Sequence, residues 1–269
     1  MGHRHGIEGN GMSEQRSALV VGGASGIGLA SVRALVADGF RVTIADIDED
    51  KAAAAAAEIG PQVSAIEMDV SDETAVSEGL QRLRGVHTVV SSAGLSVPGP
   101  ITELELAHWQ STIDVCLTGT FLILKHAGRH IVDGGSIICI ASLNGRQPGA
   151  GMASYCAAKA GVLMLVEVAA LELAERGVRV NAISPGLVDT PLVAGISLVP
   201  GLTEEYLDNT PLGRSGQPEE IADMVAFLAS DRARWMTGSA VDLNGGAHLR
   251  RYPDVLKRIS AMAEAAENS

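Results

Sequence analysis

The sequence predicts an α/β fold: one doubly wound parallel sheet of about seven strands with helices on both faces. Three observations predict it. Short apolar runs alternate with longer helical stretches from residue 17 to about residue 247. No internal repeat or linker divides them. The first apolar run passes through a glycine-rich turn straight into a helix. At 269 residues the chain is long enough for one large domain and short for two. Segment 1–16 is polar and reads as a disordered lead-in, in which His3 and His5 belong to a tail rather than a metal site. Segment 248–269 places Val255, Leu256, Ile259 and Met262 at helical spacing, so it reads as a helical tail over a neighbouring subunit or a substrate mouth.

Taken in order, Ala18–Val21 is a short apolar strand, followed by the turn Gly22-Gly-Ala-Ser-Gly-Ile-Gly28 and a helix. Strand, glycine turn and helix together are the context of a dinucleotide fingerprint. Glycines let the backbone approach a pyrophosphate, and a helix N-terminus offers its unpaired N–H groups. Gly22, Ser25, Gly26, Ile27 and Gly28 are therefore the first candidate cofactor contacts. The next strand, Phe40–Ala45, ends at Asp46, eighteen residues beyond Gly28. A carboxylate there can accept from both ribose hydroxyls and repels a 2′-phosphate, which favours NAD over NADP. Asp48 is the alternative for that role, and either aspartate can instead cap the following helix.

Further along, Gln62–Met68 reads as a strand, Ser71–Leu83 as a helix and Val86–Val90 as a strand ending in Ser91-Ser92-Ala93-Gly94. A long helix begins near Thr102 and carries Cys116, read as small buried packing, and His126 and His130, read as surface or interface histidines. The apolar run Gly134–Ser142 is a strand with Ser142 where strand gives way to loop. Tyr155 and Lys159, four apart in a proline-free stretch, project from one helix face. A cation beside a phenol favours the phenolate, which a general acid/base for an alcohol or carbonyl requires. Val178–Ile183 and Ala240–Leu243 are the last strands, with a helix over Gln217–Ser230 between them. The irregular stretch from about 191 to 216 reads as a lid, with Leu192, Val193, Ile196, Leu198, Val199 and Leu202 as its apolar underside. That underside favours an apolar or ring-bearing substrate.

The glycine turn, the strand-ending Ser142 and the Tyr155/Lys159 pair together resemble the short-chain dehydrogenases/reductases of the single-domain Rossmann type, from about Ser17 to about Gly246. The resemblance implies NAD-dependent interconversion of a secondary alcohol and a ketone. Ser142 would orient the substrate oxygen and Tyr155 would act as acid/base. Lys159 would support the tyrosine and bind the nicotinamide ribose. It also implies cofactor contacts at Asp69, Val70, Ser91, Ala93, Gly94, Val188 and Thr190, and a homotetramer. The sequence departs from the family pattern in three places. Val21 replaces the leading threonine of the turn, Ser91-Ser92 replaces two asparagines, and Cys116 replaces an asparagine whose backbone carbonyl holds a proton-relay water in the family.

Composition narrows the class. A formal net charge of -12 argues against nucleic acid and anionic membrane as partners. No apolar run approaches a membrane span, and the N-terminus lacks the apolar core of a signal peptide. Three cysteines, Cys116, Cys139 and Cys156, fall in regular elements and suit a reducing cytoplasm better than a disulfide framework. The competing readings are an NADPH-dependent 3-oxoacyl reductase, a non-catalytic nucleotide-sensing protein on the same fold, and a methyltransferase. The last leaves the Ser142, Tyr155 and Lys159 spacing unexplained.

Overall fold

The computed structural model describes residues 15–267, so the readings made on residues 1–14, His3 and His5 among them, lie outside the described residues. Along the chain run β1 (Ser17–Val21), α1 (Gly26–Ala37), β2 (Arg41–Asp46), α2 (Glu49–Ile59), β3 (Val63–Glu67), α3 (Glu73–Arg82) and β4 (Val86–Ser91). Then come α4 (Leu106–Ile113), a π-helical turn (Asp114–Thr118), α5 (Gly119–His130), β5 (Ile131–Ile140) and α6 (Ala153–Leu173). The chain continues with β6 (Arg179–Pro185), α7 (Leu202–Asp208), α8 (Pro218–Ala229), β7 (Ala240–Leu243) and α9 (Val255–Glu267).

The strands form one seven-stranded sheet in the order β3-β2-β1-β4-β5-β6-β7, every pair parallel. The chain begins mid-sheet, winds outward to β3, then crosses back to β4 and winds the other way. Where the winding reverses, between β1 and β4, the connections leave the carboxyl edge on opposite faces and open a crevice.

Strand alternation divides the core in two. On β1, Leu19 and Val21 join one apolar cluster with α3, α5 and α6, while Ala18 and Val20 join the other with α1, α2 and α8. On β5, Ile137 and Cys139 face the first cluster, and Ile138 and Ile140 the second. With so few aromatics in the chain, small side chains bring the layers together: Ala52, Ala55 and Ala56 seat α2 with almost no exposure.

Four local readings change. β5 starts at Ile131 rather than Gly134, because Val86 pairs with Ile131 ahead of a register shift that accommodates Asp133 and Gly134. The helix expected from Thr102 begins at Leu106 and runs to His130 through the π turn. His126 is no surface residue: it is buried, its Nε2 3.1 Å from the Glu73 carboxylate. The lid is more regular than its glycines and prolines suggest. A 3₁₀ stretch, Pro191–Leu198, leads through Gly201 in the left-handed conformation into α7.

Candidate active site

Two cavities open at the carboxyl edge, of about 320 Å³ and 340 Å³. They share a wall made by Ser142, Tyr155, Pro185, Gly186, Leu192 and Val193. The smaller one is lined by the strand ends and the glycine turn. Gly22, Ser25, Gly26, Ile27, Asp46, Asp69, Val70, Ala93, Gly94, Val188 and Thr190 all lie on it.

Close backbone approach explains the glycines. Gly22 has φ +70°, and a Cβ there would fall 2.7 Å from the Ala93 nitrogen, so bare backbone forms the cavity floor. Gly28 acts differently from its expected role as a cofactor contact. It does not line the cavity, being buried behind the turn, where a Cβ would sit 2.0 Å from the Gly22 carbonyl oxygen. It lets helix and turn touch. Ser25, the N-cap of α1, makes no side-chain capping bond, so the first N–H groups of α1 keep their capacity for a ligand.

Asp46 closes the other end. Its carboxylate accepts from the Ala24 backbone N–H at 3.0 Å and from that of Asp48 at 3.2 Å, and a carboxylate retains further lone pairs for ribose hydroxyls. Asp48 does not line the cavity; it caps α2 by accepting from the Lys51 N–H at 3.0 Å. Asp69 accepts from the backbone and hydroxyl of Ser71 at 2.8 and 2.7 Å, which fixes its carboxylate at the end of β3.

Ser142 is buried, lies two residues past β5, and accepts from the Asn144 N–H at 3.1 Å. Tyr155 opens the first turn of α6 and lines both cavities. One turn on, Lys159 is buried with its ammonium 5.6 Å from the Tyr155 ring centroid, and it donates to the Ile140 carbonyl at 2.7 Å. The three residues singled out in the sequence therefore converge at the cavity wall. Beneath them Cys139 is wholly buried, which pushes its thiol up to about 12 despite the nearby Lys159 charge. Among the described residues no cluster of three or more His, Cys, Asp or Glu is placed to hold a metal.

A family model described as enoyl-(acyl carrier protein) reductase matches residues 22–248. Cis-4-hydroxycyclohexanecarboxylate dehydrogenase of Sinomonas cyclohexanicum is 40% identical over 241 residues, 86% of this chain and 96% of that protein. The solved structure of a short-chain type dehydrogenase/reductase from Mycobacterium ulcerans superposes with a TM-score of 0.87 at 37% identity, covering 94% of this chain and 95% of that one. The chain belongs to the short-chain dehydrogenase/reductase family. It is thus an oxidoreductase that acts on CH–OH donors. A further member of the family, a 2-deoxy-D-gluconate 3-dehydrogenase homologue from Agrobacterium tumefaciens solved with bound NADP, gives a TM-score of 0.82 at 30% identity, covering 88% of this chain and 98% of that one.

Two departures from the family pattern have structural answers. Of the serines replacing the family's asparagines, Ser91 was expected at the cofactor, yet it is buried as the last paired residue of β4 and does not line the cavity. Ser92, the first residue past the strand, lines it instead. Cys116 lies in the π turn, where its thiol donates to the Leu95 carbonyl at 3.2 Å and accepts from the Leu95 N–H at 3.3 Å. A thiol makes both contacts weakly. Its own carbonyl accepts from the Thr120 hydroxyl at 2.8 Å.

The larger cavity joins lid and tail. Leu192, Val193, Ile196, Val199 and Leu202 line it as expected, whereas Leu198 is 77% exposed and turns away, since the 3₁₀ stretch cannot hold every apolar residue on one side. Tyr252, Pro253, Val255 and Ile259 bring the tail over this chain's own cavity. Glu205 fastens the two, accepting from the Asp254 N–H at 3.1 Å, Arg251 at 3.2 Å and Arg258 at 2.7 Å. Arg258 and these other donors hold its carboxyl below the usual range. Asn144 lies in the loop after Ser142 that was expected to wall the substrate site, whereas sequence reasoning missed Tyr206 and Tyr252 in this lining. Their one signal was scarcity: the chain has three tyrosines, and all three line this cavity.

Proposed function

We propose that the protein is an NAD-dependent dehydrogenase that oxidises a secondary alcohol on an apolar, ring-bearing small molecule, and reduces the ketone in reverse. The observation that carries the reading is the common wall: Ser142 and Tyr155 stand between a cavity with a glycine floor and a cavity with apolar walls. The residues present fit a nicotinamide dinucleotide, since the Gly22 floor has room for backbone alone and Asp46 stands at the ribose end. When bound, the dinucleotide supplies the hydride acceptor.

The chain's own groups handle the proton. Ser142 donates a hydrogen bond to the substrate oxygen and fixes the carbinol. Tyr155, as phenolate, takes the hydroxyl proton, and Lys159 sets a positive charge beside that ring. Val188 and Thr190 hold the nicotinamide end and Asp69 and Val70 the adenine end.

NAD is favoured over NADP by charge. Apart from Lys159, the charged residues of the smaller cavity are Asp46 and Asp69, and the residue after Asp46 is the exposed Ile47 rather than a cation. A 2′-phosphate would meet carboxylate with no guanidinium to answer it. A ring-bearing substrate is supported by the apolar lid residues and by the cyclohexane ring named for the Sinomonas relative. Phe121, Met164 and Leu171, exposed on α5 and α6, support self-association, and we infer a cytoplasmic homotetramer. Among the described residues no helix is long and apolar enough to cross a membrane.

Fluorescence titration with NADH and NADPH, followed by a screen of cyclic secondary alcohols for NADH formation, tests the reading. NADH is expected to bind about tenfold or more tightly than NADPH. Preference for NADPH with turnover of 3-oxoacyl thioesters would replace it with the reductase reading, and binding without any turnover would point to a nucleotide sensor.

A further inference from the structure

Of the three tyrosines on the larger cavity, the proposed reaction uses Tyr155 alone. Tyr206, on α7, and Tyr252, just before α9, meet edge to face, with ring centroids 5.7 Å apart and planes at 85°. Their hydroxyl oxygens are 2.8 Å apart. Two hydroxyls sharing one hydrogen bond use one of their two protons, whichever donates. The Asn144 side chain stands beside the Tyr252 hydroxyl, where it acts against the upward shift of that phenol, and its amide donates to the Gln147 carbonyl at 3.2 Å. When Tyr252 passes its proton to Tyr206 across that 2.8 Å contact, the Tyr206 proton is left over on an otherwise largely apolar wall.

A donor left over on such a wall is costly unless something in the cavity accepts from it. Burial raises both phenols above the ordinary tyrosine range, so both stay neutral donors at neutral pH. Both line the larger cavity and neither lines the smaller, which sets this contact on the substrate side. Arg251 lines the same cavity, and only part of its guanidinium is spent on Glu205.

We propose that Tyr206, oriented by Tyr252 and Asn144, is a specificity-determining residue that donates a hydrogen bond to a second oxygen of the substrate. The substrate class is then a ring alcohol bearing a further hydroxyl or carboxylate besides the carbinol that reacts. This rests on the reading of the larger cavity as the site for a ring alcohol, and the test separates the two.

Binding of cyclohexanone, 4-hydroxycyclohexanone and 4-oxocyclohexanecarboxylate is measured by calorimetry on the NADH-saturated protein. The two ketones with a second oxygen are expected to bind about tenfold more tightly than cyclohexanone, roughly the worth of one well-made hydrogen bond. Tyr206→Phe should erase that gain and leave cyclohexanone unchanged, and Tyr252→Phe should reduce it. An equal gain for both assigns a neutral acceptor, and a larger gain for the carboxylate adds Arg251 to the contact; either supports the proposal. Equal affinity for all three ketones overturns it, as does a uniform loss in Tyr206→Phe, the mark of packing alone. Turnover of the matching alcohols is scored separately. Selective binding lost in Tyr206→Phe, with no alcohol oxidised using either dinucleotide, would sink the dehydrogenase reading and leave the anchor standing.

Discussion

The two cavities that meet at Ser142 and Tyr155 are built by opposite means. The smaller is made largely where β1 to β6 end, with Pro191, Leu192 and Val193 closing one side, so most of its lining follows from strand order and from short local motifs. The larger is roofed by segments that leave the sheet altogether, α7 with its 3₁₀ lead-in and the tail through α9. Those two roofing pieces are tied by side chains, the Glu205 carboxylate and the Tyr206–Tyr252 pair, rather than by a ladder of backbone bonds. The first cavity is preformed by the fold, whereas the second depends on a few side-chain contacts between segments about fifty residues apart. Such a division assigns the reaction chemistry to the scaffold and the recognition of different substrates to loops.

Breaking the shared wall should have the largest effect. In Tyr155→Phe, kcat is expected to fall by about 10²–10⁴-fold while NADH affinity stays within a factor of about two, read by steady-state kinetics and fluorescence titration. A variant with wild-type turnover would remove the acid/base role. Next comes the scaffold side. Gly28→Val forces a side chain against the Gly22 carbonyl, at an expected cost of about 1–3 kcal/mol or more, with dinucleotide binding weakened along with the melting temperature. If binding is lost at unchanged stability, the tight turn is not what Gly28 provides.

Smaller effects are expected from the roof, and they should spare the cofactor. Glu205→Gln keeps the shape and removes the charge that holds Arg251 and Arg258. The substrate KM is expected to rise about three- to tenfold, with NADH affinity unchanged. Equal weakening of both ligands would show the cavities to be one cooperative unit.

Acid should loosen the same latch without a mutation. The Glu205 carboxyl titrates lower in the folded protein than a free glutamate does, through Arg258, the Asp254 N–H and Arg251. Its contribution is therefore present above the unfolded glutamate pKa and is lost as pH falls through the lowered folded value. Hydrogen exchange at decreasing pH, corrected for intrinsic rates, should show protection lost from α7 and α9 before β1 and β4. Simultaneous loss would refute an independently held roof.

The same division explains what the sequence revealed. The glycine turn, Asp46 and the Tyr155/Lys159 spacing are short-range patterns with a local physical meaning, and of the contacts expected from them all but Gly28 line the smaller cavity. Ser91 was misjudged by one position, because the residue at which β4 leaves the sheet is set by pairing with β1 and β5 rather than by its own composition. The π turn at Cys116 depends on the packing of that helix against α6 through Leu117 and Gly161. The tail's destination and the Tyr206–Tyr252 contact join positions 46 apart, with no periodicity to announce them. His126 was read as a surface or interface residue because nothing near it in sequence names Glu73 as its partner.

Asp46 does two jobs with one carboxylate, lining the smaller cavity and tethering Ala24 in the glycine turn. Redesign for a phosphorylated dinucleotide cannot therefore be a single exchange at this position. Removing the carboxylate would also untie Ala24 in the glycine turn, so under the proposed reading selectivity and grip would decline together until another side chain restored the tether. If the dinucleotide is NAD, as proposed, its selection is bound up with the mechanical work the same residue performs.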